Sequence, residues 1–246
     1  LDESYLTSLH GMAPRQELAD EVYELLRAHI MRGTIPPGVR INIEDVARQL
    51  NVSPTPVRET LARLESEGLV DRQPRRGYTA TELLSRDDVR ELYEMRMLLE
   101  PYAVERAALG ANATFLRQIT DELEAGRELA KAGASIPPAE LSAHDERFHD
   151  LIFRAAGNEL IRQSYARTHC HLHIFRLSFS DTFDDHTIAE HGQIVEPLAS
   201  GNIPAAAEAM RAHIVASEGR VLNYFESQQS QPAGWRNSPL RSRAAG

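Results

Sequence analysis

Residues Val46 to Gly77 read VARQLNVSPTPVRETLARLESEGLVDRQPRRG, and their periodicity decides the N-terminal fold. From Glu44 to Leu50, Val46, Ala47 and Leu50 share one helical face. Asn51 and Val52 make a tight connection, and Ser53 offers a side-chain oxygen of the kind that caps a helix start. A second helix begins across Pro54 to Pro56, because N–H groups in a first turn have no helical partners and proline is tolerated there. Val57, Leu61, Leu64 and then Leu69-Val70 recur at helical spacing, so Thr55, Arg58 and Arg63 are predicted to face outward. Gly68 ends the helix. Leu69 to Arg72 and Gly77 to Thr81 then read as short strands around Gln73-Pro74-Arg75-Arg76. Two helices joined by a tight turn and followed by an arginine-tipped hairpin make a winged helix-turn-helix. Arginines at such a tip suit phosphates or a minor groove, where negative potential concentrates.

Upstream, Pro14 to Arg32 is predicted as a helix with a buried stripe of Leu18, Val22, Leu25, Leu26 and Ile30, broken at Gly33 to Gly38. With these parts in place, IMRGTIPPGVRI (residues 30–41), SPTPVRETLARLESEGLV (53–70) and PRRGY (74–78) resemble the DNA-binding domain of the GntR family of bacterial transcription regulators. The resemblance covers residues 14–81. It implies that Ser53, Thr55 and Arg58 approach the major groove, that Arg75, Arg76 and Gly77 reach the minor groove or its phosphates, and that the partner is double-stranded operator DNA. One departure is Pro54, which stands where many members carry an arginine directly after the serine. A base-reading guanidinium is therefore missing.

The chain of 246 residues, 42% hydrophobic, has room for two packed domains. Its net charge of −9 is unevenly spread. Residues 14–81 hold ten arginines against ten acidic residues, whereas 82–226 hold fourteen basic against twenty-four acidic. Phosphate attraction acts locally, so the acidic second half excludes indiscriminate nucleic-acid binding without excluding an operator. No run is apolar enough to span a membrane, the first residues lack a secretion signal, and the single Cys170 excludes an internal disulfide. A cytoplasmic protein is expected.

Residues 1–13 are expected to be a flexible arm. After the wing, Ser85 with Asp88 predicts a capping box opening a long helical region. Breaks at Gly110 to Ala113, Gly133 to Pro138, Gly157-Asn158, Ser180 to Asp185 and Gly201-Asn202 divide residues 85–226 into an all-α bundle of six helices, and the polar tail 227–246 is expected to be disordered.

In the helix from Pro138 to Ala156, Asp145 and His149 lie four apart beside the apolar stripe Leu141, Phe148, Ile152, Ala155. That geometry can offer a carboxylate oxygen and an imidazole nitrogen to one ion. His191, among Ile188, Ile194, Val195 and Leu198, and His213, beside Ala206, Ala209, Met210 and Tyr224, each sit in an apolar face. Four inward groups of compatible type on three helices predict a metal site. Arg96 falls in the stripe Val89, Leu92, Leu99, Ala103 and should carry its charge inside, where an anion must meet it. Two partners are open to it: Glu100 one turn away, or the carboxylate of a small effector.

The segments DERFHDLI (145–152), AAGNELI (155–161) and EHGQIVEPLASGNIPAAAEAMRAHI (190–214) resemble the all-helical FCD ligand-binding domain of the FadR-type branch of the same family. The resemblance implies a divalent ion, zinc or nickel, on Asp145, His149, His191 and His213. His169 and His173 lie four apart on the intervening helix, and the inward shoulder makes His169 a candidate extra contact. The expected function is a homodimeric regulator, a repressor by family tendency, that is not an enzyme. Its operator binding answers to a small carboxylic or sugar acid held by Arg96 and the metal. Two alternatives stand beside it: a regulator whose effector is the ion itself, and a metal-dependent enzyme fused to a DNA-binding domain. The latter lacks a spare general base among the inward residues.

Overall fold

The computed structural model describes residues 13–74, 77–131, 136, 138–177 and 184–229. Arg75 and Arg76, most of the N-terminal arm, the tail from 230, and the breaks within 132–135 and 178–183 lie outside the described residues.

The N-terminal part runs α1 (Ala13–Met31), β1 (Arg40–Ile41), α2 (Ile43–Leu50), α3 (Pro54–Ser66), β2 (Val70–Gln73) and β3 (Gly77–Ala80). Asn42 caps α2 through its side chain, and Asn51 ends it in the left-handed region. Val57, Leu61, Leu64 and Leu69 are completely buried, each such leucine contributing about 1.5–3 kcal/mol by removal from water. The hairpin pairs Val70 with Ala80 and Gln73 with Gly77, and β1 joins the other edge of β3, all antiparallel. Two residues are too few to show alternation, so β1 leaves no mark in the sequence pattern.

Two local expectations change. Ser53 occupies the N-cap of α3, but its side chain makes no capping hydrogen bond. An N-cap oxygen accepts from the second or third helical N–H, and the third residue here is Pro56, which has none. Arg63 is exposed, as its spacing predicts, and its side chain leans along α1. Its guanidinium carbon lies 3.4 Å above the Tyr23 ring, and its Nη1 donates to Asp20 Oδ1 at 3.1 Å. The buried face of α1 is rotated accordingly: Tyr23 and Met31 are inside, while Leu18 and Leu25 are exposed.

The second part is helical: α4 (Arg86–Leu109), α5 (Ala113–Lys131), α6 (Pro138–Ala156), α7 (Glu159–Ala166), α8 (Cys170–Leu177), α9 (Asp184–Ala199) and α10 (Ile203–Gln229). Ser85 and Asp88 form the capping box, Asp88 N–H donating to Ser85 Oγ and Ser85 N–H to Asp88 Oδ2. The described residues hold seven helices here rather than six, because the stretch that periodicity joins between Asn158 and Ser180 is split. Thr168 Oγ donates to the Tyr165 carbonyl at 2.6 Å, and His169 takes a positive φ of 46°. No glycine or proline signals that turn. At the far end Ser227 to Gln229 continue α10.

α10 packs along α4 and α9, and α6 packs on α4, α5 and α8. The inward sides of α4, α6, α8, α9 and α10 therefore share one interior. No helix among the described residues is long and apolar enough to cross a membrane.

Candidate metal centre and nucleic-acid interface

α6 brings Asp145 and His149 into that interior, α9 brings His191 and α10 brings His213, and all four side chains are buried. One ligand atom from each lies within 4.8 Å of all the others. Asp145 Oδ1 is 3.1 Å from His191 Nε2 and 3.9 Å from His149 Nε2. Asp145 Oδ1 and the Nε2 atoms of His149, His191 and His213 are buried and make no hydrogen bond. Buried polar atoms without partners are rare because each costs about 1–3 kcal/mol. Four in one cluster is the signature of a site for a positively charged guest.

The opposite edges of these side chains are occupied. His213 Nδ1 meets Glu190 Oε2 at 2.8 Å, and Glu190 also receives Arg220. His191 Nδ1 meets His144 Nε2 at 3.2 Å, and His144 Nδ1 in turn meets Glu122 Oε1 at 2.8 Å. His149 Nδ1 lies 3.1 Å from Glu100 Oε2, an ion-pair approach without hydrogen-bond geometry. Asp145 Oδ2 meets His171 Nδ1 at 2.5 Å. Such outer partners fix tautomers and ring orientation around metals, and they leave the orphaned atoms aimed at one another.

Charge follows the same division. Burial pushes the His149 pKa down to about 4 and that of His191 well below its ordinary value, so both are neutral near pH 7. Burial would raise Asp145, but the His171 charge and hydrogen bond hold its carboxyl well below the usual range. Burial would lower His171, but the Cys170 sulfur and the Asp145 carboxylate overcome it and raise its pKa to about 10. Neutral imidazoles and an ionised carboxylate are the forms a metal needs.

A pH prediction follows for the metal-free chain. In the unfolded chain His149 and His191 titrate near 6.5, above their folded values, so between that pH and about 4 the unfolded state binds more protons. Their contribution to stability is present above pH 6.5 and is lost as pH falls toward 4. His171 changes little in this window, since it is protonated in the folded state throughout and its own contribution is lost as pH rises toward 10. The unfolding midpoint of chelator-treated protein should fall steadily below pH 6.5. A flat profile down to pH 4.5 would contradict neutral buried imidazoles.

Arg96 is buried, and of the two partners open to it the structure shows Glu100. Arg96 Nε donates to Glu100 Oε1 at 2.6 Å, and Nη2 approaches Oε2 at 3.4 Å. Glu100 also accepts a short hydrogen bond from the Tyr165 hydroxyl. Burial opposes ionisation of Glu100, but Arg96 foremost and His149 next hold its pKa well below the ordinary value. Glu100 thus stands between Arg96 and the ligand cluster.

His169 is not part of the cluster. It precedes α8 and lines an outer cleft of about 160 Å³ with Arg147, Arg162, Tyr165 and His171. His171, two residues on, makes the contact to Asp145. The left-handed turn at His169 sets which histidine of α8 faces inward, and that turn has no sequence signal.

At the other end of the molecule Ser53 and Arg58 are exposed and Thr55 is half-buried at the start of α3. Arg58 Nη2 is 3.5 Å from Glu44 Oε1, with both side chains 64% exposed. Gly77 opens β3 with φ 87°. The N-terminal turn of α3 therefore presents hydroxyl groups, a guanidinium and a positive helix end on one open surface.

The profile of the FCD domain matches residues 91–216, and that of the bacterial regulatory proteins of the gntR family matches residues 18–79. The HTH-type transcriptional regulator YdhC of Bacillus subtilis (strain 168) is 30% identical over 195 residues, covering 78% of this chain and 86% of its own. A protein of Paenarthrobacter nicotinovorans, named a probable D-xylose utilization operon transcriptional repressor, is 29% identical over 203 residues, covering 82% of this chain and 88% of its own. Both relatives are named as transcriptional regulators. A transcriptional regulator GntR from Rhodococcus sp. RHA1 has the same fold, with a TM-score of 0.65 at 23% identity, covering 83% of this chain and 97% of that one.

Proposed function

The chain belongs to the GntR family of bacterial transcription regulators, with an FCD domain behind its winged helix-turn-helix, and on that premise we propose a metal-containing repressor whose hold on operator DNA is set by a small carboxylic or sugar acid. Residues 14–81 read the operator through Ser53, Thr55, Arg58 and the wing at Arg75, Arg76 and Gly77. Residues 85–226 hold the effector and join two copies of the chain. Repression fits the name carried by the Paenarthrobacter relative.

The observation that carries the metal part is the convergence of four buried donor atoms without hydrogen bonds. Asp145, His149, His191 and His213 would hold a divalent ion, zinc first by this imidazole and carboxylate set and nickel second, giving an acid's oxygen a Lewis-acidic position. Arg96 enters this reading with Glu100 already bound to it, so an effector carboxylate must share or displace Glu100. Dimerisation is supported by one apolar stripe: Leu98 (76% exposed), Tyr102 and Leu109 (65% exposed) lie on one face of α4, beside Val215 on α10.

The pairing of Arg96 with Glu100 favours a second reading, in which Arg96 is structural and the ion alone is the effector. Thermal unfolding against a panel of carboxylic and sugar acids, before and after metal removal, separates the two. An acid at 100 times its dissociation constant stabilises by about 2.7 kcal/mol. A shift for one acid class that disappears with the metal is the expected result. No acid shift, with a large one on metal reloading, assigns the response to the ion.

A further inference from the structure

One short helix touches both the candidate metal centre and the end of the DNA-reading helix. At the start of α8, His171 Nδ1 meets Asp145 Oδ2, and His171 Nε2 lies 3.1 Å from the Tyr165 hydroxyl that binds Glu100. At its far end Arg176, fully buried, donates from Nη1 to Thr81 Oγ1 at 2.6 Å and from Nη2 to the Thr81 carbonyl at 2.7 Å. Thr81 Oγ1 in turn donates to the Gly68 carbonyl at 2.8 Å. Gly68, at φ 71°, is the residue at which the chain leaves α3 and enters the wing. Between these ends His173 roofs the same glycine: a β-carbon built on Gly68 would sit 3.0 Å from His173 Nε2.

We infer that α8 is the coupling rod of this regulator, carrying a change at Asp145 and Glu100 through Arg176 to Thr81, Gly68 and the recognition helix. A helix of eight residues is about 12 Å long and moves as a unit, so the His171 end cannot shift without pulling on the Arg176 end. Among the described residues Arg176 hydrogen-bonds only to the neutral hydroxyl and carbonyl of Thr81. The nearby Glu82 carboxylate offsets part of the cost of burying this charge, and because a buried guanidinium is costly to leave without its acceptors, a shift of α8 carries Thr81 with it. The outer cleft, floored by Tyr165, Cys170 and His171, gives a small ligand an approach that ends against the start of α8. The inference rests on the proposed metal site for its natural trigger, while the rod itself is built from α8 and residues 68–81.

Hydrogen–deuterium exchange on the full chain tests it with two triggers: Zn²⁺ added to chelator-treated protein, and His171→Asn in the metal-free state. Two blocking variants weaken the joint from either side and leave the metal cluster untouched: Arg176→Gln removes the guanidinium, and Thr81→Val removes the hydroxyl that links Arg176 to the Gly68 carbonyl while the Thr81 carbonyl still accepts from Nη2. Each trigger should change amide exchange at residues 68–73 and 77–81 by about fivefold, at the low end of allosteric couplings. In both blocking variants that change should shrink toward none, while the change within α8 persists. Unaltered exchange at 68–81 under both triggers overturns the rod, and so does a full response in the blocked variants. If Zn²⁺ protects nothing but His171→Asn still moves residues 68–81, the metal reading fails and the rod stands.

Discussion

Exchanging His191 for alanine is expected to lower Zn²⁺ affinity by more than about 100-fold, because loss of even an outer partner of a metal ligand costs about 10–100-fold. The ring is completely buried on α9, stacked at 3.8 Å on Phe148, with Nε2 lacking any hydrogen bond. Its removal therefore has two separable consequences. The lost packing destabilises the fold whether or not metal is present. The lost ligand acts only in the loaded protein, where an ion at 1,000 times its dissociation constant contributes about 4.1 kcal/mol. Unfolding of wild type and His191→Ala should thus differ much more with Zn²⁺ than with chelator, and the variant should carry little metal by elemental analysis. Equal destabilisation in both conditions, or full occupancy of the variant, would return His191 to a packing role.

That four-residue cluster is legible because His191 and His213 interrupt apolar faces while Asp145 and His149 border one, and a polar group there must be paired or functional. Helical angles alone carry Asp145 and His149 to one side of α6, and the residues around His191 and His213 announce burial. The supporting ring was not legible in the same way. His144 and Glu190 reach the cluster's histidines, and Glu122 reaches His144, from neighbouring turns or helices, and only the packing of α5, α6, α9 and α10 decides those meetings. His171 depended on a left-handed residue at His169, a conformation that Gly or Asn adopts more readily. The apolar stripe of α4 announces the burial of Arg96, yet spacing does not choose its partner, since Glu100 and an external carboxylate satisfy the same guanidinium.

The N-terminal domain shows the opposite balance. Its helices, turn and hairpin follow from local signals, and all of them form. Arg63 has the spacing of an outward residue and is exposed, while the Tyr23 ring, Asp20 and Glu67 draw its guanidinium along α1. Ser53 has the right oxygen for a cap, but Pro56 removes one of the two donors it could use, and the oxygen accepts from neither position. Its hydroxyl consequently stays available at the exposed start of α3.

Replacing Arg58 by alanine should weaken operator binding strongly without harming the fold. The side chain is 64% exposed and its contact with Glu44 is a surface pair at 3.5 Å, of a kind worth about 0–1 kcal/mol, so the unfolding midpoint should barely move. At the DNA surface a bidentate arginine–guanine contact is worth about 1–3 kcal/mol, and a dimer on a two-fold operator loses it twice. The combined loss corresponds to roughly 30-fold at the least, since 1.4 kcal/mol is tenfold. Arg63→Ala provides the contrast. It removes the stack on Tyr23, worth about 0.5–1 kcal/mol at an exposed site, and should lower stability while the folded protein keeps its operator affinity. Salt titration assigns the chemistry of the Arg58 contact. Unequal losses across operator variants mean base reading, whereas a uniform loss with a salt slope smaller by about one means a phosphate contact. Undiminished affinity in Arg58→Ala, together with a loss in Arg63→Ala, would mean that α3 meets DNA with its other face.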